Sequence, residues 1–399
     1  MNRSEPMMTR LFAAIVLLSL GLIAFQLALM QIFSIVQWHH FAFMVISIAL
    51  LGFGASGTVI AIFREKLLQK IDTLLPLTMI LSGVAMALVV RLSQVEGIRF
   101  DSYLLFVDAN QILALLLTYL VLSIPFFLGA LALGLVFVKY VDQIGMLYFA
   151  NLLGSGAGAI VAVALLWVVH VRQLPAVIAV LPVAAGAVMI SGRAHSSAVA
   201  AVIAGMLVSA YSFLTPPELM LSEYKSLSRT LSLPDARVVL ERSGPHGLVQ
   251  VVESSALRYA PGLSLTYREP LEVHEAVFSN GEWFGPIRRW SDKDTSHVLD
   301  YTTIAVPYEM RRIRSLLILQ AGTGMLASHA ISRGVTQVVA VEPNETAVSM
   351  LQDETASRGG SPFLNHFVHV HRMDPRSFLA LPDTNRYDLI MLPTLDAFG

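Results

Sequence analysis

Cysteine is absent from the 399-residue chain, and charge is scarce: Asp, Glu, Lys and Arg together make up 14% of it. The first absence excludes a disulfide scaffold and a thiolate metal site. The second excludes a single soluble globule, for which about 25% charge is usual. A hydrophobic content of 55% excludes a disordered chain as well. The scarcity is also uneven. Residues 1–214 carry 17 charged side chains, about 8%, whereas residues 215–399 carry 38, about 21%. A membrane domain is therefore expected ahead of a water-soluble one.

Seven stretches approach the roughly 20 apolar residues needed to cross a bilayer. They are Leu11–Ile35, Phe41–Phe63, Leu74–Val90, Ile112–Val138, Met146–Val169, Leu174–Ile190 and Ser197–Leu214. The third and sixth are short, and Pro125 is expected to kink the fourth. The first is too long for a cleavable signal core, and further spans follow it directly. Loops on the N-terminal side carry seven Lys/Arg and the others three, which puts the N-terminus in the cytoplasm. Seven spans then send the soluble half outside; a cytosolic ligand for that half requires either a miscounted span, at Ser102–Val107 or the short sixth stretch, or an N-terminus outside. Gly52, Gly54, Ser56 and Gly57, with Gly154, Gly156 and Gly158, suit close helix packing; Gly154 and Gly158 form a GxxxG. Gln26, Gln31 and Asn151 are polar at depth but not ionisable, unlike the usual residues of a proton relay. His39 and His40 beside Trp38 read as an interfacial belt.

Residues 215–236 read as a linker. Alternating runs then predict a small antiparallel β subdomain over 237–294: Arg237–Glu241, Gly247–Val252, Glu272–Phe278 and Trp283–Trp290, with a turn at Ser279-Asn280-Gly281. Over 295–399 strands alternate with helices, which predicts a parallel doubly wound, Rossmann-like sheet. Its strands are Leu316–Leu319, Gln337–Val341, Phe367–His371 and Tyr387–Leu392, and its helices Met325–Arg333, Glu345–Ala356 and Arg376–Leu381. The first strand runs into Gln320-Ala321-Gly322-Thr323-Gly324, where two glycines allow a sharp turn and close approach of a ligand. Glu342 ends the next strand, where a carboxylate can accept ribose hydroxyls. Ala327 replaces the third glycine of a dinucleotide fingerprint, so an adenosine group without a pyrophosphate fits better than a dinucleotide. Asp374 has two readings, a partner for an adenine amine or the N-cap of the helix after it. His369 and His371 share one face of a strand, as metal ligands can, with no carboxylate set beside them by sequence.

Several runs together resemble a known family: Leu316-Leu-Ile-Leu-Gln-Ala-Gly-Thr-Gly, Val339-Ala-Val-Glu-Pro-Asn, Asp374-Pro-Arg-Ser-Phe-Leu and Tyr387-Asp-Leu-Ile. They are similar to the spermidine-synthase-like branch of the S-adenosylmethionine methyltransferase fold. Gly247–Tyr267 and the membrane runs Phe41–Gly57, Ile124–Gly129 and Tyr148–Gly154 are similar to its multi-pass membrane members. The resemblance implies that S-adenosylmethionine or its decarboxylated form is bound by Gln320, Gly322, Gly324, Glu342 and Asp374. It also implies a carboxylate base after the last strand. Pro393 stands at the usual catalytic place, leaving Asp396 as the candidate catalytic acid. Val306-Pro-Tyr308-Glu309 stands where the family has Tyr-His-Glu, and no Gln follows the hairpin turn.

The function expected is thus aminopropyl or methyl transfer at a degenerate acceptor site. The alternative is a membrane transporter or sensor whose soluble domain binds an adenosyl ligand without chemistry. The expected partners are the bilayer, the adenosyl ligand and an unidentified amine or other acceptor; neither a metal nor a nucleic acid is expected. The expected location is a bacterial inner membrane with the soluble domain in the cytoplasm. The family's sheet needs further strands after Gly399, so the chain reads as a C-terminally truncated protein.

Overall fold

The computed structural model describes residues 4–37, 41, 43–190, 195–258, 263–268, 273, 275–287, 297–353, 361–382 and 386–393. The chain divides into two compact units, Met1–Ser222 and Glu223–Gly399.

Among its described residues the first unit holds seven helices long and apolar enough to span a membrane. They are α1 (Ser4–Val36), α2 (Met44–Gln69), α3 (Ile71–Ser93), α4 (Asn110–Lys139), α5 (Ile144–Val168), α6 (Leu174–Met189) and α7 (His195–Leu214). The short sixth stretch is a helix, and Ser102–Val107 forms turns, so neither alters the count. α4 runs through Pro125 as one element, and non-helical dihedrals occur in α2 at Phe63 instead.

α1, α3, α4 and α6 form the buried centre, while α2, α5 and α7 flank it with most of their surface open. Ile62, Leu120, Ile160 and Leu207 are each more than half exposed. Such a girdle would aggregate in water and is at home in lipid.

Close packing uses the glycines. A Cβ at Gly154 or Gly158 would strike the backbone carbonyl of Val16 or Leu20 on α1, so the GxxxG seats α5 directly on that helix. Gly52 meets α4 in the same way, whereas Gly54, Gly57 and Gly156 face open space. Across the α1–α5 contact the Ser19 hydroxyl donates to Asn151 Oδ1 at 2.7 Å. Polar contacts also pair the helix ends. Lys139 at the end of α4 meets Asp72 at the start of α3, on the N-terminal face. Gln173, before α6, donates to the Phe213 carbonyl near the end of α7, on the opposite face. The chain thus leaves the bundle on the face opposite its N-terminus.

The second unit opens with α8 (Ser226–Leu231), inside the stretch expected to be linker. Strands β1 (Arg237–Gly244), β2 (Gly247–Glu253), β3 (Glu275–Ser279) and β4 (Glu282–Ile287) follow as an antiparallel meander. Asn280 and Gly281 both take positive φ, 51° and 77°, the backbone of a tight two-residue hairpin turn. Then come α9 (Val306–Met310), β5 (Ser315–Leu319), α10 (Met325–Ser332), β6 (Gln337–Val341), α11 (Glu345–Asp353), β7 (Val368–His371), α12 (Pro375–Leu379) and β8 (Leu389–Met391). The four strands pair in parallel in the order β7-β6-β5-β8. The two sheets share one core, with Val249, Val251 and Val277 packed among Leu316, Ile318 and Ala340. The antiparallel part is therefore not a separate globule. Beneath the parallel sheet a thinner cluster joins Leu317, Val339 and Val341 to Phe378 of α12.

Candidate functional site

The strand order of the parallel sheet reverses at β5. β6 and β7 extend one way, and the chain then returns to place β8 on the other flank. Connections depart on opposite sides at such a point, leaving a crevice beyond the carboxyl ends of the strands. A cavity of about 520 Å³ opens there, within the size range of small-molecule sites.

Within the turn Gln320–Gly324, residues 320–323 line the floor of this cavity. Gln320, Gly322 and Gly324 have φ of 61°, 58° and 84°, so the backbone coils through left-handed conformations that suit glycine. At Gly324 the requirement is doubled, because a Cβ would lie 2.9 Å from the Phe363 ring. The Ala321 amide donates to the Val341 carbonyl at 2.9 Å, tying the turn to the end of β6. The Thr323 hydroxyl donates to the Pro286 carbonyl at 2.7 Å, tying it to β4. The Gln320 Oε1 is buried without a hydrogen-bond partner among the described residues.

Glu342 follows β6 and is almost wholly buried. One carboxylate oxygen accepts the Gly322 amide at 2.8 Å and the other the Asn344 amide at 3.0 Å. Burial raises its pKa above the ordinary carboxylate value, against the lowering pull of the Asn344 and Gly322 amides. Each carboxylate oxygen has a second lone pair, so both can still accept from a ligand. Asn344 Oδ1 accepts the Ala347 amide at 3.0 Å at the start of α11.

Gln320, Gly322 and Glu342 thus come together on one cavity, and Gly324 shapes the turn beside it. Asp374 does not line it. Its carboxylate accepts the amides of Arg376 and Ser377 at 2.9 and 3.2 Å, capping α12. Pro393 lines the cavity, and Asp396 lies outside the described residues. His369 and His371 are exposed on the edge strand β7. Among the described residues, no three His, Cys, Asp or Glu side chains gather as metal ligands would.

The roof and walls were not foreseen from the sequence. Trp283–Pro286 of β4 cover the crevice, and Leu299 and Ile304 close one side. Those last two sit on a segment pinned by a polar network. His297 accepts the Leu299 amide, and Asp300 accepts the His297 amide at 2.9 Å, a capping box. The other Asp300 oxygen pairs with the fully buried His329 at 2.8 Å and accepts from Arg333 at 2.7 Å. Burial opposes charge on Asp300, but the His297 amide, His329 and Arg333 outweigh it and hold its pKa below the usual range. Burial lowers the pKa of His329, against the raising pull of Asp300. The capping box at His297-x-x-Asp300 was the available signal for this anchored turn.

The class these observations define is a seven-helix membrane-type unit followed by a two-sheet unit with a small-molecule-sized crevice. No protein-family model, curated protein or solved structure matches the chain.

Proposed function

We propose that the second unit is a Rossmann-like, methyltransferase-type domain that binds S-adenosylmethionine or its decarboxylated form, and that the protein is a membrane-integral transferase of the spermidine-synthase-like group. The observation that carries this reading is Glu342, held by two backbone amides beside the left-handed Gln320–Gly324 turn at the point where the strand order reverses. Its remaining lone pairs suit the two ribose hydroxyls, and the glycine turn lets the protein backbone approach the ligand closely. The sulfonium carbon of such a donor needs only a positioned nucleophile and a base. An amine forms the new C–N bond, the C–S bond breaks with its electrons going to sulfur, and the amine proton passes to a carboxylate. Asp396 is the candidate for that base.

A second reading is favoured by the cavity walls. Among the described lining residues Glu342 is the sole ionisable one, and its oxygens already hold two amides. A transporter or sensor that binds the ligand without turning it over needs no further acid.

Isothermal titration of the full chain with each donor, then assays of aminopropyl and methyl transfer, separates the readings. Heat with turnover supports the transferase; heat without turnover supports the sensor. No heat with either donor overturns both.

A cytosolic ligand requires the face from which the chain leaves the bundle to be cytoplasmic. The Lys/Arg count argues the other way. Because the chain has no cysteine, Glu218→Cys and Gln69→Cys report on opposite faces without background labelling. In intact cells an impermeant maleimide should label Gln69→Cys and spare Glu218→Cys; the reverse pattern refutes the cytoplasmic assignment.

A further inference from the structure

The membrane unit holds a second cavity of about 520 Å³, at the face where α1, α3 and α7 begin and α4 and α6 end. Its rim and its depth differ in chemistry. At the rim, Lys139 Nζ lies 3.2 Å from Asp72 Oδ1 and 5.6 Å from the centroid of the Tyr140 ring. Both charges reach solvent, since Asp72 is 87% and Lys139 33% exposed. Below the rim the lining is apolar, with Leu75 and Ile80 on α3 facing the small Ala198 and Ala201 on α7. From Asp72 to Ile80 the cleft follows eight residues of α3, about 12 Å at 1.5 Å per residue. One leaflet of a roughly 30 Å hydrocarbon core has nearly that depth, about 15 Å.

From this geometry we infer that the cleft is a binding site for a single phospholipid with a zwitterionic, ethanolamine-type head group. One of its two acyl chains lies between α3, α6 and α7, in the room left by Ala198 and Ala201. The head-group phosphate meets Lys139, and its ammonium meets the free lone pairs of Asp72. Among the described lining residues the rim bears one cation and one anion side by side, a pair with no net attraction for an anionic head group, which Asp72 repels. The site is independent of the crevice in the second unit, and its test does not depend on the adenosyl ligand.

The full chain would be purified in detergent from vesicles holding equal amounts of dioleoyl phosphatidylethanolamine and phosphatidylglycerol, and retained lipid measured by native mass spectrometry. The wild type is expected to keep one lipid, with the ethanolamine form enriched about fivefold, the effect of one exposed charge contact. Asp72→Asn, at an exposed position with no fold to lose, should still retain a lipid but lose the enrichment. Ala198→Leu combined with Ala201→Leu fills the cleft and should cut retention by about tenfold or more while the melting temperature holds. Equal retention by the filled and native proteins overturns the site. Enrichment of phosphatidylglycerol, or a preference that survives Asp72→Asn, overturns the head-group assignment.

Discussion

The Glu342→Gln substitution is the sharpest test of the crevice, because it keeps the shape of the side chain while removing its charge and one acceptor oxygen. Glu342 now accepts two amides, one on each oxygen. Glutamine has one oxygen, so either the Gly322 or the Asn344 amide faces an NH₂ group. Leaving one buried donor unmet costs about 1–3 kcal/mol. Relief of the buried charge, which burial already disfavours by raising the Glu342 pKa, offsets part of that. Stability should therefore fall only modestly. Ligand binding should fall further. Two hydroxyl donors lose a charged acceptor, where each such bond is worth about 1.5–3 kcal/mol against about 0.5–1.5 for a neutral one. The expected loss is about 2–4 kcal/mol, or roughly 30- to 700-fold in Kd. Titration with S-adenosylmethionine and its decarboxylated form reads the affinity, and thermal unfolding reads the fold. If the wild type binds a donor and Glu342→Gln binds it within about threefold, Glu342 does not hold the ribose and the reasoning fails.

Gly324→Ala should destabilise the second unit by about 2–4 kcal/mol, combining left-handed backbone strain with overpacking against the Phe363 ring. Gly334→Ala, with a similar φ of 78° but open space around it, should cost only about 1–2 kcal/mol; equal losses on chemical denaturation would show that the Phe363 contact is unimportant. In the bundle, Gly158→Leu should lower the melting temperature in detergent by forcing α5 off the Leu20 backbone, whereas Gly156→Leu, which meets nothing, should be near neutral. His329 has a folded pKa below its unfolded value of about 6.5. The unfolded chain therefore binds the extra proton first, so this group's stability contribution is complete above that pH and is lost as pH falls below it. The stability difference between wild type and His329→Gln should shrink from pH 8 to pH 5, and a flat difference would exclude this linkage.

Much of the local architecture was legible in the sequence because it is written in short-range patterns. Apolar runs of bilayer length announce helices wherever they pack. β6 was expected at Gln337–Val341 and is found there, and the expected turn at Asn280-Gly281 is present. The conjunction of Gln320, Gly322 and Glu342 was also legible, since a strand–turn–helix followed by a second strand places those positions at adjacent strand ends. For Asp374 the sequence left two readings open. Only the packing of α12 shows which amides its carboxylate meets.

Other features depend on contacts between segments far apart in the chain, and the tertiary structure decided them. Trp283 and Phe284 roof a crevice whose floor lies about forty residues later, because the two sheets share one core instead of forming separate subdomains. Leu299 and Ile304 become a wall only through the pairing of Asp300 with His329 and Arg333. Which glycines carry helix contacts was likewise undecided by composition. Gly154 and Gly158 meet α1, while Gly156 between them faces outward. The uneven scarcity of charge separated two solvents along the chain. The crevice and the lipid-deep cleft depend on which helix and strand faces meet, and that is a property of the folded whole.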